Sequence, residues 1–171
     1  MFVDSIHSKE TLKKEDFFLR HGQKSWKIAR VEKGVLRGFI IDELGNEITT
    51  HFYHENDMVF GNYIPNVPSS TNIQAIEESI LSIADFDEVM SYVNKNEEIT
   101  EIINTAFYKL NTQLQSRLIS LANQSSVEKY SLFLKEYPNL LNRVPHYYIA
   151  NFLGITPTQL SRARKKFSQQ M

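Results

Sequence analysis

The stretch His146-Tyr147-Tyr148-Ile149-Ala150-Asn151-Phe152-Leu153-Gly154-Ile155-Thr156-Pro157-Thr158-Gln159-Leu160-Ser161-Arg162-Ala163-Arg164-Lys165 decides the fold of the C-terminal part of this chain. Two helices joined by a tight turn need a small residue where they come close. They also need a glycine in the turn and an apolar residue in the second helix. Ala150, Gly154 and Leu160 supply these at spacings of four and six, with Ile149, Leu153 and Ile155 as accompanying core positions. Pro145 suits the first turn of the first helix. Thr156-Pro157-Thr158-Gln159 offers a capping threonine, a first-turn proline and a glutamine that can close a capping box. The second helix then carries Ser161, Arg162, Arg164, Lys165 and Lys166. With Thr156, Thr158 and Gln159, these side chains can hydrogen-bond base edges in a major groove or hold phosphates. Double-stranded DNA is the partner this chemistry fits. An ordinary helical hairpin could carry the three anchors by chance; the capped second helix and the acid-free basic surface favour DNA binding over it.

Charge extends the same reading outward. The 171-residue chain has a formal net charge of −1, which by itself selects no polyanionic partner. From Arg143 to Met171, however, there are five basic residues and no Asp or Glu, whereas the preceding residues are net acidic. A basic end on an acidic body fits a polyanion contact; it also fits a solubilised helix end. Hydrophobic content of 42% with 12% aromatics is that of a folded chain. The absence of cysteine excludes disulfides, thiolate-held metals and a cysteine nucleophile. No apolar run reaches the roughly 18–20 residues of a membrane span. Met1 to His7 lacks the pattern of a secretory signal. A cytoplasmic protein without membrane contact is expected.

Upstream, Ser125-Ser126-Val127-Glu128 has the capping-box pattern and predicts a helix to about Glu136, before Pro138. Asn96 to Ala122 contains neither Gly nor Pro, and Ile99, Ile103, Ala106, Leu110, Leu114, Leu118 and Leu121 recur at steps of three or four. That is one apolar stripe on a helix of roughly 40 Å. A small domain can cover only part of it, so the stripe is expected to be the seam of a homodimer. Asp85 is a candidate N-cap. The first half reads as short strands: Trp26–Val31, Val35–Asp42 and Ile48–His54, the last two flanking a Gly45-Asn46 hairpin signal. Asn72–Ile76 and Ile80–Ala84 predict a further hairpin around Glu77-Glu78-Ser79. Short strands at this spacing point to an antiparallel barrel or sandwich.

Arg143-Val144-Pro145-His146-Tyr147-Tyr148-Ile149-Ala150, Leu153-Gly154-Ile155-Thr156-Pro157, Leu160-Ser161-Arg162 and Arg164-Lys165-Lys166 together resemble the DNA-binding end of the Crp/Fnr transcription regulators. The resemblance is to the short type common in Bacteroidetes, which stops soon after the recognition helix. Asp16–Gly22, Glu32–Arg37 and Glu43–Thr49 are similar to the opening strands of that family's cyclic-nucleotide-binding-type barrel. Phe52–Gly61 resembles the approach to its phosphate-binding cassette, and Ser125–Pro138 its linker helix. The resemblance implies an α+β protein. An antiparallel, jelly-roll-like β-roll (residues 1–95) would lead into a long dimerisation helix (96–122) and a small helix-turn-helix domain (123–171). It further implies a dimer on pseudo-palindromic promoter DNA, with RNA polymerase as another partner.

An effector is harder to read. In family members that bind cyclic AMP the cassette begins Gly-Glu-Leu and ends Arg-Ser, with Glu on the ribose and Arg on the phosphate. The matching residues here are Gly61-Asn62-Tyr63 and Ser69-Ser70, and no Lys or Arg occurs from Glu55 to Val93. Gly61, Asn62, Ser69 and Ser70 therefore form a degenerate pocket that is expected to refuse cyclic AMP, leaving an unknown small-molecule effector or none. His51 and His54, three apart on a strand, make a poor metal pair. No nucleophile triad, phosphate loop or carboxylate pair stands out, so neither an enzyme nor a cofactor is expected. The alternative is a ligand-sensing or protein-interaction module whose helix-turn-helix is vestigial.

Overall fold

The computed structural model describes residues 8–61 and 67–169. Met1 to His7, and Asn62 and Tyr63 of the expected pocket, lie outside the described residues. The chain divides into two compact units, Met1–Tyr108 and Lys109–Met171.

In the first unit the described strands are β1 (Ser8–Leu12), β2 (Phe17–Leu19), β3 (Lys27–Lys33), β4 (Leu36–Ile41), β5 (Glu47–Tyr53), β6 (Met58–Phe60), β7 (Asn72–Ala75) and β8 (Ser79–Asp85). They form two four-stranded sheets in the orders β1-β8-β3-β6 and β2-β7-β4-β5, with antiparallel pairing. Alternate residues of each sheet meet in a shared core: Leu36, Tyr53, Ile73 and Ala75 from one, Ala29, Val31, Val59, Leu81 and Ile83 from the other. This is the expected α+β roll.

The β4–β5 hairpin forms as expected, with Ile41 opposite Glu47 and Gly45 at φ +84°. The Asp42 carboxylate accepts bonds from the backbone N–H of Leu44 and Asn46 at 2.9 and 2.8 Å, which fixes the turn. The second expected hairpin is corrected. β7 and β8 follow each other closely in sequence yet do not pair, because they lie in different sheets. Residues 76–78 carry the chain across the roll, and Gly34 does the same between β3 and β4. The two corners touch. A Cβ on Gly34 would lie 2.6 Å from Ser79 Cα, and Gly34 has φ +109°. Glu77-Glu78-Ser79 correctly signals a turn, but a turn does not name the partners of its strands.

Helix α1 (Phe86–Tyr92) opens at Asp85, whose side chain accepts from Glu88 N–H at 2.9 Å. Helix α2 spans Glu97–Asn123, so the division between units falls inside it. Its first turns bury Ile99 and Ile103 against Ile28, Phe60, Ala84, Phe86 and Val89, with Ala106 and Phe107 packed at the edge. Phe107 stacks on Phe60 at 5.5 Å. Ile99 and Ile103, at 3% and 2% exposure, are therefore core residues of the roll and not seam residues. Burying each contributes roughly 1.5–3 kcal/mol to this unit. Farther along, Leu110 is half-buried, while Leu114, Leu118 and Leu121 remain 46%, 68% and 41% exposed.

The second unit adds α3 (Ser126–Glu136), α4 (His146–Phe152) and α5 (Pro157–Ser168) to the end of α2. Ser125 and Glu128 close the expected capping box. The core is aromatic: Phe152 lies edge-on to Phe133 and Tyr137 at 6.1 and 5.8 Å, and Tyr130 meets Phe167 at 5.6 Å. No helix among the described residues is long and apolar enough to cross a membrane.

Candidate nucleic-acid interface

The helix-turn-helix is built by the residues that the spacing singled out. Ile149, Ala150, Leu153 and Leu160 are buried at 0%, 1%, 6% and 1% exposure, and Ile155 is half-buried. Gly154 has φ +63°, and a Cβ there would lie 2.8 Å from Leu121 Cδ2. The left-handed backbone favours glycine, and the Leu121 methyl of α2 would have to shift to admit a Cβ. Leu121 thus turns one methyl toward its own helix-turn-helix, which removes part of it from any seam. Pro145 occupies the N-cap position of α4, one residue earlier than a first-turn placement, and makes no side-chain cap bond.

Helix α5 begins with the full capping box. Thr156 Oγ1 accepts from Gln159 N–H at 3.1 Å, Gln159 Oε1 accepts from Thr156 N–H at 2.8 Å, and Pro157 sits in the first turn. Leu160 and Ala163 face the core. Thr158, Gln159, Ser161, Arg162, Lys165 and Lys166 are exposed and repeat at steps of three and four, so they share one outward face. Gln159 keeps its amide donors after Oε1 is committed to the cap.

Arg164 departs from the expected arrangement. It is half-buried, and its Nη1 lies 3.0 and 2.9 Å from the two ring nitrogens of His146 at the start of α4. The guanidinium ties the two helices together and does not stand on the outer face. The pair is 18 residues apart, and nothing in local spacing signals it.

A second residue that spacing left unremarked is Arg117. It lies on the apolar stripe of α2, four residues before Leu121, and its guanidinium carbon stands 4.5 Å from the centre of the Phe152 ring. Burial lowers its pKa from the usual arginine value. Nearby, Glu136 accepts from Ser116 Oγ at 3.0 Å, and burial pushes its carboxyl above the ordinary range.

Of the four residues expected to form a degenerate pocket, Gly61, Ser69 and Ser70 lie among the described residues, and the Ser69 hydroxyl is committed to bonds of its own. Ser69 is 2% exposed. Its hydroxyl donates to Thr71 O at 2.8 Å and accepts from Thr71 N–H at 3.1 Å, so it is a turn staple with nothing to offer an anion. Ser70 is exposed. A Cβ on Gly61 would lie 2.7 Å from Ser25 Cβ, so this glycine is required by packing alone. Arg37 in β4, the nearest alternative cation by sequence, is 1% exposed and ion-paired with Glu47 at 2.6 Å. His51 packs edge-on against Tyr53 at 4.5 Å, inside the roll.

No protein-family model matches the chain. Among curated proteins it is 24% identical to the regulatory protein HlyX of Actinobacillus pleuropneumoniae, across 96% of this chain and 73% of that protein. Its fold is that of FixK2 from Bradyrhizobium japonicum, with a TM-score of 0.84 at 16% identity over 96% of this chain and 86% of the other. A CooA mutant from Carboxydothermus hydrogenoformans follows with a TM-score of 0.77 at 14% identity, over 99% and 80%. In sequence motifs, in fold and in the capped, basic second helix of its helix-turn-helix, this chain is similar to transcription regulators of the Crp/Fnr type.

Proposed function

We propose that the protein binds pseudo-palindromic promoter DNA as a homodimer, acting in the cytoplasm without control by cyclic AMP or cyclic GMP. The observation that carries this reading is the outer face of α5. Thr158, Gln159, Ser161 and Arg162 lie at its start, within reach of base edges. Lys165 and Lys166 lie at its end, where they hold phosphates. Residues 123–171 act as the DNA-binding domain and 1–95 as the roll. Within 96–122, the segment around Leu110, Leu114 and Leu118 pairs two chains. Two copies of α5 then enter successive major grooves about 34 Å apart. RNA polymerase is the further protein partner, and the chain is a binding protein and not an enzyme.

Refusal of cyclic nucleotides follows from electrostatics. A cyclic nucleotide carries one negative charge, and charge-assisted hydrogen bonds are about twice as strong as neutral ones. Ser69 supplies neither a charge nor a free hydroxyl, and Arg37 is held by Glu47.

Selection of bound sequences from random duplex DNA, with the stoichiometry of the complex measured by light scattering, tests the reading. A two-fold symmetric motif bound by two chains is expected. Failure to enrich any motif refutes it. Calorimetric titration with cyclic AMP should show no micromolar binding, and micromolar heat would overturn the account of Ser69.

A further inference from the structure

We propose that Arg117 is a positioning residue for DNA recognition: its guanidinium, laid on the Phe152 ring, fixes where the helix-turn-helix seats on α2 and so sets the spacing between the two half-sites the protein accepts. The inference rests on the DNA-binding reading and adds a residue that touches no DNA.

The geometry is specific. Phe152 is the last residue of α4, two before the turn glycine, and is 6% exposed. Phe133 and Tyr137 hold two sides of its ring edge-on. The Arg117 guanidinium carbon stands 4.5 Å from the ring centre. One turn along α2, Leu121 meets the Gly154 backbone, so α2 touches the end of α4 and the turn that follows. Those contacts determine the direction in which α5 leaves the helix that carries the proposed seam. Doubling the chain turns that direction into a distance between two recognition helices.

Burial penalises the charge of this guanidinium, so its place against the ring carries a cost. A planar cation over a ring differs from an apolar chain in being directional, because the attraction is strongest over the ring face. Apolar packing alone lets α4 slide on α2.

The test uses the full-length protein and duplexes carrying two copies of its selected half-site, separated by spacers varied one base pair at a time. The wild type is expected to prefer one spacing sharply. Arg117→Met is expected to remain folded and to recognise the same half-site. It should nonetheless lose about tenfold of the discrimination between the best spacing and its neighbours. Phe152→Leu should flatten the profile in the same way, and adding it to Arg117→Met should produce little further change. Arg117→Lys should restore part of the preference. Identical spacing profiles in wild type and Arg117→Met overturn the proposal. So does a variant that is less stable and weaker on every spacing alike, because that marks packing only. Failure of the wild type to select any duplex would instead strike the DNA-binding reading itself.

Discussion

Leu118→Glu separates a seam residue from a core residue more cleanly than any other substitution on α2. Leu118 is 68% exposed in the single chain, so a carboxylate there meets water and leaves the fold intact. In a two-fold dimer the change is made twice. Withdrawing a leucine from an apolar seam removes roughly 1.5–3 kcal/mol per copy, or about 3–6 kcal/mol per dimer. That is about two to four powers of ten in the dissociation constant, before any repulsion between the two carboxylates. Ile103→Ala, though on the same stripe, should do the reverse: Ile103 is 2% exposed inside the roll. Its truncation should destabilise the first unit by about 2–5 kcal/mol and leave association unchanged. Sedimentation velocity over a micromolar dilution series, with thermal unfolding of each variant, reads both effects. Equal sedimentation of Leu118→Glu and wild type would refute the seam.

Gly34→Ala should destabilise the roll severely, by about 3 kcal/mol or more, because positive φ and overlap with the Ser79 backbone add; urea unfolding checks it. Arg162→Ala should lose roughly 1–3 kcal/mol of DNA affinity and relax one base preference, whereas Lys165→Ala should weaken all sequences alike and lower the salt slope. Equal losses for Arg162→Ala on specific and random duplexes would make Arg162 a phosphate contact. Burial raises the Glu136 carboxyl above its unfolded value, so its stabilising share is complete below the unfolded pKa and is lost as pH rises through the folded one. Glu136→Gln, which keeps the Ser116 bond, should therefore raise the melting temperature at neutral pH and not in acid.

The parts of this molecule legible in its sequence are those decided locally. The helix-turn-helix was readable because Ala150, Gly154 and Leu160 lie within one short segment, and because Thr156 and Gln159 cap a helix by bonds three residues apart. Strand pairing was not readable between β7 and β8, since a turn signal is blind to which sheet the next strand enters. The apolar stripe on α2 was correct as a pattern. Spacing alone cannot distinguish Ile103, which meets the roll, from Leu118, which meets solvent in the single chain. Ser69 stands where the resemblance implies an arginine, but the capture of its hydroxyl by Thr71 arises only in the folded turn. Arg117 and Arg164 were hidden for a related reason: each is paired with an aromatic or imidazole ring brought close only by tertiary packing.

The pairing of β1 with β8 also bears on how the chain is made. Ser8 lies opposite Ile83 and Leu12 opposite Ser79, so one edge of the roll stays unpartnered on the ribosome until residue 85 or so has emerged. Contacts this distant in sequence form slowly. The helical second unit relies on neighbours close in sequence and can assemble soon after its own synthesis. The slow unit is thus translated first and the fast one last, which gives the roll a head start. A chain interrupted before β8 would expose β1 and β3 as open edges, the kind of surface on which nascent chains aggregate.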